Sequence, residues 1–220
     1  MLILGACALV TAGMGVAALT TAPAAGAATC AGPEPAGTSC TITGTLIVTS
    51  GALTLTSPTA LGWTETVNGL NQNVVDPTVA DQSFQVDDSQ GTAPGWHVTV
   101  SATTFTTGAP THTLADAGTL AVNGSLAAMT ATTAPGAACA TGSTCTLPTD
   151  TTAYPVAITT AATTPTPVNI YDTSALTGVG TMNIGASSAG APVGWWLSLP
   201  SNISVGTYTS TMNLEIISGP

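Results

Sequence analysis

Few residues in this chain are of a type that does chemistry. There are two histidines, five cysteines, seven aspartates, three glutamates, and no lysine or arginine. A histidine acting as an acid, base or metal ligand needs a converging partner. His97 lies beside Trp96 in an alternating stretch, on its outward phase, and reads as a solvated face residue; His112 sits in a Pro/Thr-rich loop. No Gly-x-Ser-x-Gly elbow places a nucleophilic serine. Asp81, Asp87 and Asp88 offer oxygen atoms to calcium, but their spacing is not that of an EF-hand. A turn held by Asx side-chain bonds ahead of Gly91 explains them better. Glu65 and Glu215 fall on or near strand phases and read as solvated, not as the paired carboxylates of a glycosidase. The expectation is a protein that is not an enzyme, with no cofactor and no metal.

Aromatic residues are the remaining candidates. Trp96 and the Trp195–Trp196 pair could each stack a flat apolar face on a sugar ring. A strand tryptophan is more often core, and that is the expectation for Trp96. Trp195 and Trp196 are adjacent and must face opposite sides of a strand. One is therefore core, and the other lies on the outer face or beneath a loop. Asn123-Gly124-Ser125 and Asn202-Ile203-Ser204 match the glycosylation sequon and read as chance.

Residues 1–28 read as a cleaved signal peptide. An apolar run from Leu2 to Leu19 gives way to small residues, with Ala25 and Ala27 placed for an A-x-A cleavage site. The run holds no basic residue, so a basic n-region is expected upstream of Met1. Leu4-Gly5-Ala6-Cys7 faintly resembles a lipobox, but too few apolar residues precede it. An uncleaved transmembrane helix is disfavoured because Ala, Gly and Thr make the run only mildly apolar. Cleavage leaves Cys30, Cys40, Cys139 and Cys145, an even count that in an exported chain implies two disulfides. Three pairings exist; the local ones, Cys30–Cys40 and Cys139–Cys145, are expected because each spans a Pro/Gly/Ser/Thr-rich loop. The spacing does not suit zinc.

Charged residues make up 5% of the 220, and the formal charge is −10. Soluble domains average about a quarter charged. Without lysine or arginine the chain cannot neutralise phosphates, so nucleic acid is excluded as a partner. A P-loop lacks its lysine. Electrostatic docking on anionic lipids or wall polymers is equally closed. Contact with a polyanionic surface would have to use hydrogen bonds, aromatic rings or protein partners.

The elements that must position these residues are strands. Alternation marks 41–49, 52–56, 83–86, 96–101, material within 114–122, 168–171 and 181–184. Two closing stretches, 195–199 and 208–216, read as an antiparallel pair around a turn. In the first, Trp195, Leu197 and Leu199 share a face; in the second, Met212, Leu214 and Ile216 do. Leu61-Gly62-Trp63 suggests a buried aromatic. Residues 127–167 form a low-complexity Ala/Thr/Pro-rich excursion, partly strand around 154–158. Short strands without a convincing helix predict an all-β fold: one antiparallel, Ig-like β-sandwich over 29–220, with long loops.

Taken together these pieces resemble the WxL domain of Gram-positive surface proteins, over roughly 53–220. Leu53-Thr54-Leu55-Thr56-Ser57-Pro58 with Leu61-Gly62-Trp63 looks like the family's opening strand and aromatic corner. Asp88-Ser89-Gln90-Gly91 looks like its D-S-R-G turn, with glutamine where arginine is common. Trp96-His97-Val98 looks like the first W-x-L motif. Leu199-Pro200 and Gly206-Thr207-Tyr208 look like the closing block, and the second motif reads Met212-Asn213-Leu214, with methionine in place of tryptophan. The resemblance implies a secreted protein attached noncovalently to peptidoglycan or another wall glycan, often beside other surface proteins. Wall contact would fall to Trp96, His97, Val98, Trp195, Trp196, Met212, Asn213 and Leu214. No membrane contact is expected after signal cleavage. The alternative is a self-assembling or adhesive structural subunit; an exported carbohydrate-binding or hydrolytic accessory protein ranks third.

Overall fold

The computed structural model describes residues 44–219. The chain divides into two units, Met1–Val48 and Thr49–Pro220. Of the first, residues 44–48 are described; they form no strand, and Leu46, Ile47 and Val48 are 85%, 81% and 82% exposed. The strand expected over 41–49 is therefore absent from its described part. Cys30 and Cys40, like the segment expected to be a signal peptide, lie outside the described residues.

The second unit is built from β1 (Leu53–Thr56), β2 (Gln72–Val75), β3 (Phe84–Asp88), β4 (Trp96–Ala102), β5 (Leu120–Asn123), β6 (Ala137–Cys139), β7 (Val156–Ile158), β8 (Val168–Thr173), β9 (Gly180–Ile184), β10 (Gly194–Leu199) and β11 (Met212–Ser218). They form three antiparallel sheets in a sandwich-like arrangement, ordered β1-β3-β9-β6, β2-β10-β5-β7 and β11-β4-β8. Only two short 3-10 turns interrupt the β structure among the described residues. The all-β antiparallel expectation holds.

Alternation decides which faces turn inward. Phe84, Val86 and Asp88 of β3 are buried while Gln85 and Asp87 are half-buried. Trp96, Val98, Val100 and Ala102 of β4 are wholly buried. Thr99 and Ser101, on the opposite face of β4, are buried too. Each fully buried Val, Ile, Leu or Met contributes roughly 1.5–3 kcal/mol by leaving water. The core joins Trp96, Leu120, Ile158, Ile170, Met182, Ile184 and Trp195 from all three sheets.

The closing strands are not a pair. β10 lies inside the second sheet between β2 and β5, with Trp196 opposite Val75 and Ala121. β11 pairs instead with β4, from Met212 opposite Ala102 to Ser218 opposite Trp96. Alternation specifies which side chains share a face; it carries no information on which strand lies alongside. The face assignments do hold: Trp195, Leu197 and Leu199 point to the core, as do Met212, Leu214 and Ile216.

The 127–167 excursion is part of the sandwich. It supplies β6 to the edge of the first sheet and β7 to the edge of the second. Cys139 and Cys145 form a disulfide, with Cα atoms 5.5 Å apart, across the turn that follows β6.

Candidate functional site

The residues of the W-x-L resemblance occupy three strands. Trp96 and Val98 lie on the inner face of β4. The Trp96 ring stacks on Tyr171, centroids 6.0 Å apart, and its Nε1–H donates to the Gly178 carbonyl at 2.8 Å. Gly178 has φ +67°, and a Cβ there would stand 2.8 Å from Trp96 Nε1. His97 is half-buried, and its Nδ1–H donates to the Gly219 carbonyl at 2.8 Å. Met212 and Leu214 pack against the core from β11, while Asn213 faces solvent.

Both adjacent tryptophans are enclosed. Trp195 is wholly buried and donates Nε1–H to the Asp81 carbonyl at 2.9 Å. Trp196, on the outer face of β10, is 4% exposed and lies under the loop after β5. Its Nε1–H is shared between Asn123 Oδ1 (3.1 Å) and the Ser125 carbonyl (2.9 Å). Asn123 holds that loop by donating its amide to the carbonyls of Ala128 and Met129. This also explains the first sequon: the Asn123 side chain is buried and occupied. Trp96, Trp195 and Trp196 thus present no ring face on which a sugar could stack. An indole N–H bonded to a backbone carbonyl fixes each ring as a structural piece.

The accessible aromatic surface lies elsewhere. A cleft of about 980 Å³ opens between the 58–67 loop and the 203–210 segment. Phe105, Leu114, Trp195, Leu197 and Leu199 line its depth, with Trp63 on one side and Ile203, Tyr208, Met212 and Leu214 on the other. Trp63 and Tyr208 are half-buried. Trp63 meets Phe105 edge to face, centroids 5.9 Å apart, and donates Nε1–H to the Trp195 carbonyl at 3.0 Å. The same carbonyl accepts from the Asp76 backbone N–H at 2.9 Å. Tyr208 donates its hydroxyl to the Ser204 carbonyl at 3.0 Å. Glu65 is the one charged residue on the cleft wall.

Asp76 sets the loop that carries Trp63. It is 1% exposed, and no cation is near it because the chain has none. Its charge is met by backbone donors: Gly62 N–H at 2.7 Å on Oδ2 and Thr78 N–H at 2.8 Å on Oδ1. Hydrogen bonds to an ionised acceptor are about twice as strong as neutral ones. One carboxylate therefore ties the end of β2 to the residue before Trp63. Nearby, Asp81 is raised above the ordinary carboxylate value, first by burial and then by the Asp76 charge, with the Thr78 hydrogen bond opposing.

Trp63, Tyr208 and Asp76 are the residues that sequence reading missed as a site. Trp63 had the look of core, but it stands in a loop one residue after a glycine, outside any period-2 alternation. That loop position is the signal available for it. Tyr208 opens the alternating 208–216 stretch but precedes β11, two residues after Gly206. Asp76 carried no signal, since its partners are backbone groups.

The other chemical candidates disperse. Asp87 and Asp88 are consecutive on β3 and face opposite sides; Asp87 accepts from Thr181 Oγ1, and Asp88 Oδ1 accepts the Gln90 N–H in the expected Asx turn. Glu215 is exposed on β11. Among the described residues no three His, Cys, Asp or Glu converge as a metal site, and no helix is long and apolar enough to cross a membrane.

No curated protein and no solved structure matches the chain. The family described as WxL domain surface cell wall-binding matches residues 47–220, nearly the whole described length. Its span begins just ahead of β1 and takes in every strand of the sandwich, the cleft and both motif positions. The chain belongs to the WxL domain surface cell wall-binding family.

Proposed function

We propose that this is an exported, noncatalytic surface protein held noncovalently on peptidoglycan through the cleft between Trp63 and Tyr208. Residues 1–28 would be removed on export, leaving 29–220 as a single domain, and other surface proteins would sit beside it on the wall. The observation that carries the reading is the pair of half-buried aromatic rings on a cation-free domain of a wall-binding family. With no lysine or arginine, attraction to anionic wall polymers is unavailable. Contact must come from ring faces, apolar groups and hydroxyls. In this reading the W-x-L residues act through the cleft. Met212 and Leu214 line it, the Trp195 carbonyl orients Trp63, and Trp96, Val98 and Trp196 hold the strands that frame it. His97 and Asn213 lie on the same β4–β11 pair.

Co-sedimentation of the mature protein with purified peptidoglycan tests this. Wild type should pellet with the wall, and salt should barely change the bound fraction. Trp63→Ala should bind roughly tenfold more weakly, the loss of an aromatic contact worth about 1.4 kcal/mol. The variant should stay folded, with about 2 kcal/mol of stability lost along with the edge contact and the indole hydrogen bond. Wild type remaining in the supernatant would end the reading. A folded Trp63→Ala that binds normally would remove the cleft from it.

One observation favours the second reading, self-assembly. Leu46, Ile47 and Val48 are consecutive, exposed and flanked by threonines, a short uncharged β-prone segment of the kind that pairs between chains. Light scattering without wall material separates the two: a monodisperse monomer excludes assembly.

A further inference from the structure

The 150–154 segment is tied to β8 by a chain of hydrogen bonds whose protons can be counted. Asp150 Oδ1 accepts the N–H groups of Thr152 (3.0 Å) and Asp172 (3.2 Å). Asp150 Oδ2 lies 2.8 Å from the Tyr154 hydroxyl oxygen. That hydroxyl oxygen also lies 2.8 Å from the Ile170 carbonyl. Tyr154 is buried, so water does not mediate. A phenol has one proton. A carbonyl only accepts, and so does an ionised carboxylate. With Asp150 ionised, two acceptors would have to share one proton, as two share the Trp196 N–H at 2.9 and 3.1 Å; two contacts both at 2.8 Å are better served by two protons.

Ile170 is also the residue that needs this bond. β4 and β8 pair Val98 with Tyr171 and Thr99 with Asn169, so Ile170 has no partner opposite it and sits in a β-bulge. A bulged residue is left out of the ladder. The Tyr154 hydroxyl supplies a donor to its carbonyl.

We propose that in mildly acid solution Asp150 is protonated in the folded protein: its Oδ2–H donates to Tyr154 Oη, whose own proton goes to the Ile170 carbonyl, latching residues 150–154 onto the β8 bulge. Loss of that proton to solvent opens the latch. Tyr154 then turns its proton to the carboxylate, and the Ile170 carbonyl is released.

The surroundings favour the protonated form. The titratable groups facing this point are Tyr154, Tyr171, Asp172 and, opposite Asp172 on β4, His97. Asp172, a second carboxyl group at this point, accepts both Thr151 N–H and Thr151 Oγ1–H. No lysine or arginine exists in the chain to offset carboxylate charge here. Burial pushes the Asp150 carboxyl above its ordinary value, against the pull of the Thr152 N–H and the Tyr154 hydroxyl. Burial, with Asp150 adding to it, likewise pushes both tyrosines up, so neither phenol ionises in place of the carboxyl.

The sign follows from the proton count. The folded state holds a proton that the unfolded state has lost above its ordinary value near 3.8. The latch's contribution is therefore complete below that value and fades as pH rises through the raised folded one. The experiment is a carboxyl-carbon NMR titration of the intact protein, beside thermal unfolding of wild type and Asp150→Asn from about pH 3 to about pH 8. Asparagine keeps a donor towards Tyr154 and cannot lose it. The Asp150 midpoint should lie above 3.8. Asp150→Asn should match wild type in acid and become the more stable of the two as pH rises. A midpoint at or below 3.8 overturns the proposal. So does an Asp150→Asn difference that stays constant with pH. If the variant does not fold, the wild-type titration decides alone.

Discussion

Asp76→Asn removes one charge and almost no volume, which makes it a sharp test of how the cleft is built. The carboxylate now accepts from Gly62 N–H through one oxygen and from Thr78 N–H through the other. Asparagine has one carbonyl oxygen and one NH2 group. Whichever way the amide turns, a donor faces a donor, and one N–H loses its side-chain partner. Gly62 and Thr78 are themselves exposed, so water can reach the freed N–H and the loss is that of the charge-assisted bond. Such a bond contributes about 1.5–3 kcal/mol, so a net loss of about 2 kcal/mol is expected. For a domain of this size that lowers Tm by about 4–8 °C. Thermal unfolding followed by tryptophan fluorescence reads it directly. The functional consequence is separate. Gly62 precedes Trp63, so freeing its N–H loosens the ring that forms one wall of the cleft. Asp76→Asn should therefore also bind peptidoglycan less well at temperatures where it is still folded. Asp76→Ala, which orphans both donors, should be the worse of the two. A melting temperature within about 1 °C of wild type would refute the reasoning, because no arrangement of an amide satisfies both N–H groups.

Two further outcomes follow from other parts of the fold. Gly178→Ala places a Cβ 2.8 Å from Trp96 Nε1 at a φ of +67°. Left-handed strain and overpacking together should cost about 3 kcal/mol, seen as a lower denaturant midpoint with an unchanged slope. Cys139→Ser with Cys145→Ser opens a short loop after an edge strand. The double variant should lose only about 2 kcal/mol in chemical denaturation and keep its far-UV spectrum.

Most strands of the sandwich could be read from the sequence, because a half-buried strand writes its two faces as alternation. The 96–101 and 181–184 stretches are examples: Trp96, Val98, Val100, Met182 and Ile184 turn inward and are buried. Partners could not be read. Residues 195–199 and 208–216 look like a hairpin because they are neighbours in sequence, yet they join different sheets. β2 and β6 are not legible in the sequence because Gln72–Val75 and Ala137–Cys139 are too short and too polar or small to alternate visibly. Residues 44–49 show the opposite case: strong β propensity there meets no partner strand among the described residues. Propensity is a statement about fit to a sheet and cannot supply the sheet. The site was the least legible part. Adjacency on a strand puts Trp195 and Trp196 on opposite faces, but enclosure of the outer ring depends on a loop anchored by Asn123. The half-buried ring, Trp63, is held by the Trp195 carbonyl and, through the Gly62 N–H, by the Asp76 carboxylate, contacts that no periodicity in the sequence announces.

The pairing of β11 with β4 has a consequence in time. Trp96 finds its neighbour at Ser218, and Ala102 finds its neighbour at Met212. A chain that emerges from its N-terminal end, from a ribosome or through an export channel, presents residues 96–102 long before residues 212–218 are available. Until then one edge of the strand bearing Val98 and Val100 stays unpaired, and no lysine is at hand to keep such edges apart. Contacts this distant in sequence make for slow closure. The nascent domain therefore carries an open sheet edge whose vulnerable interval ends only when β11 docks.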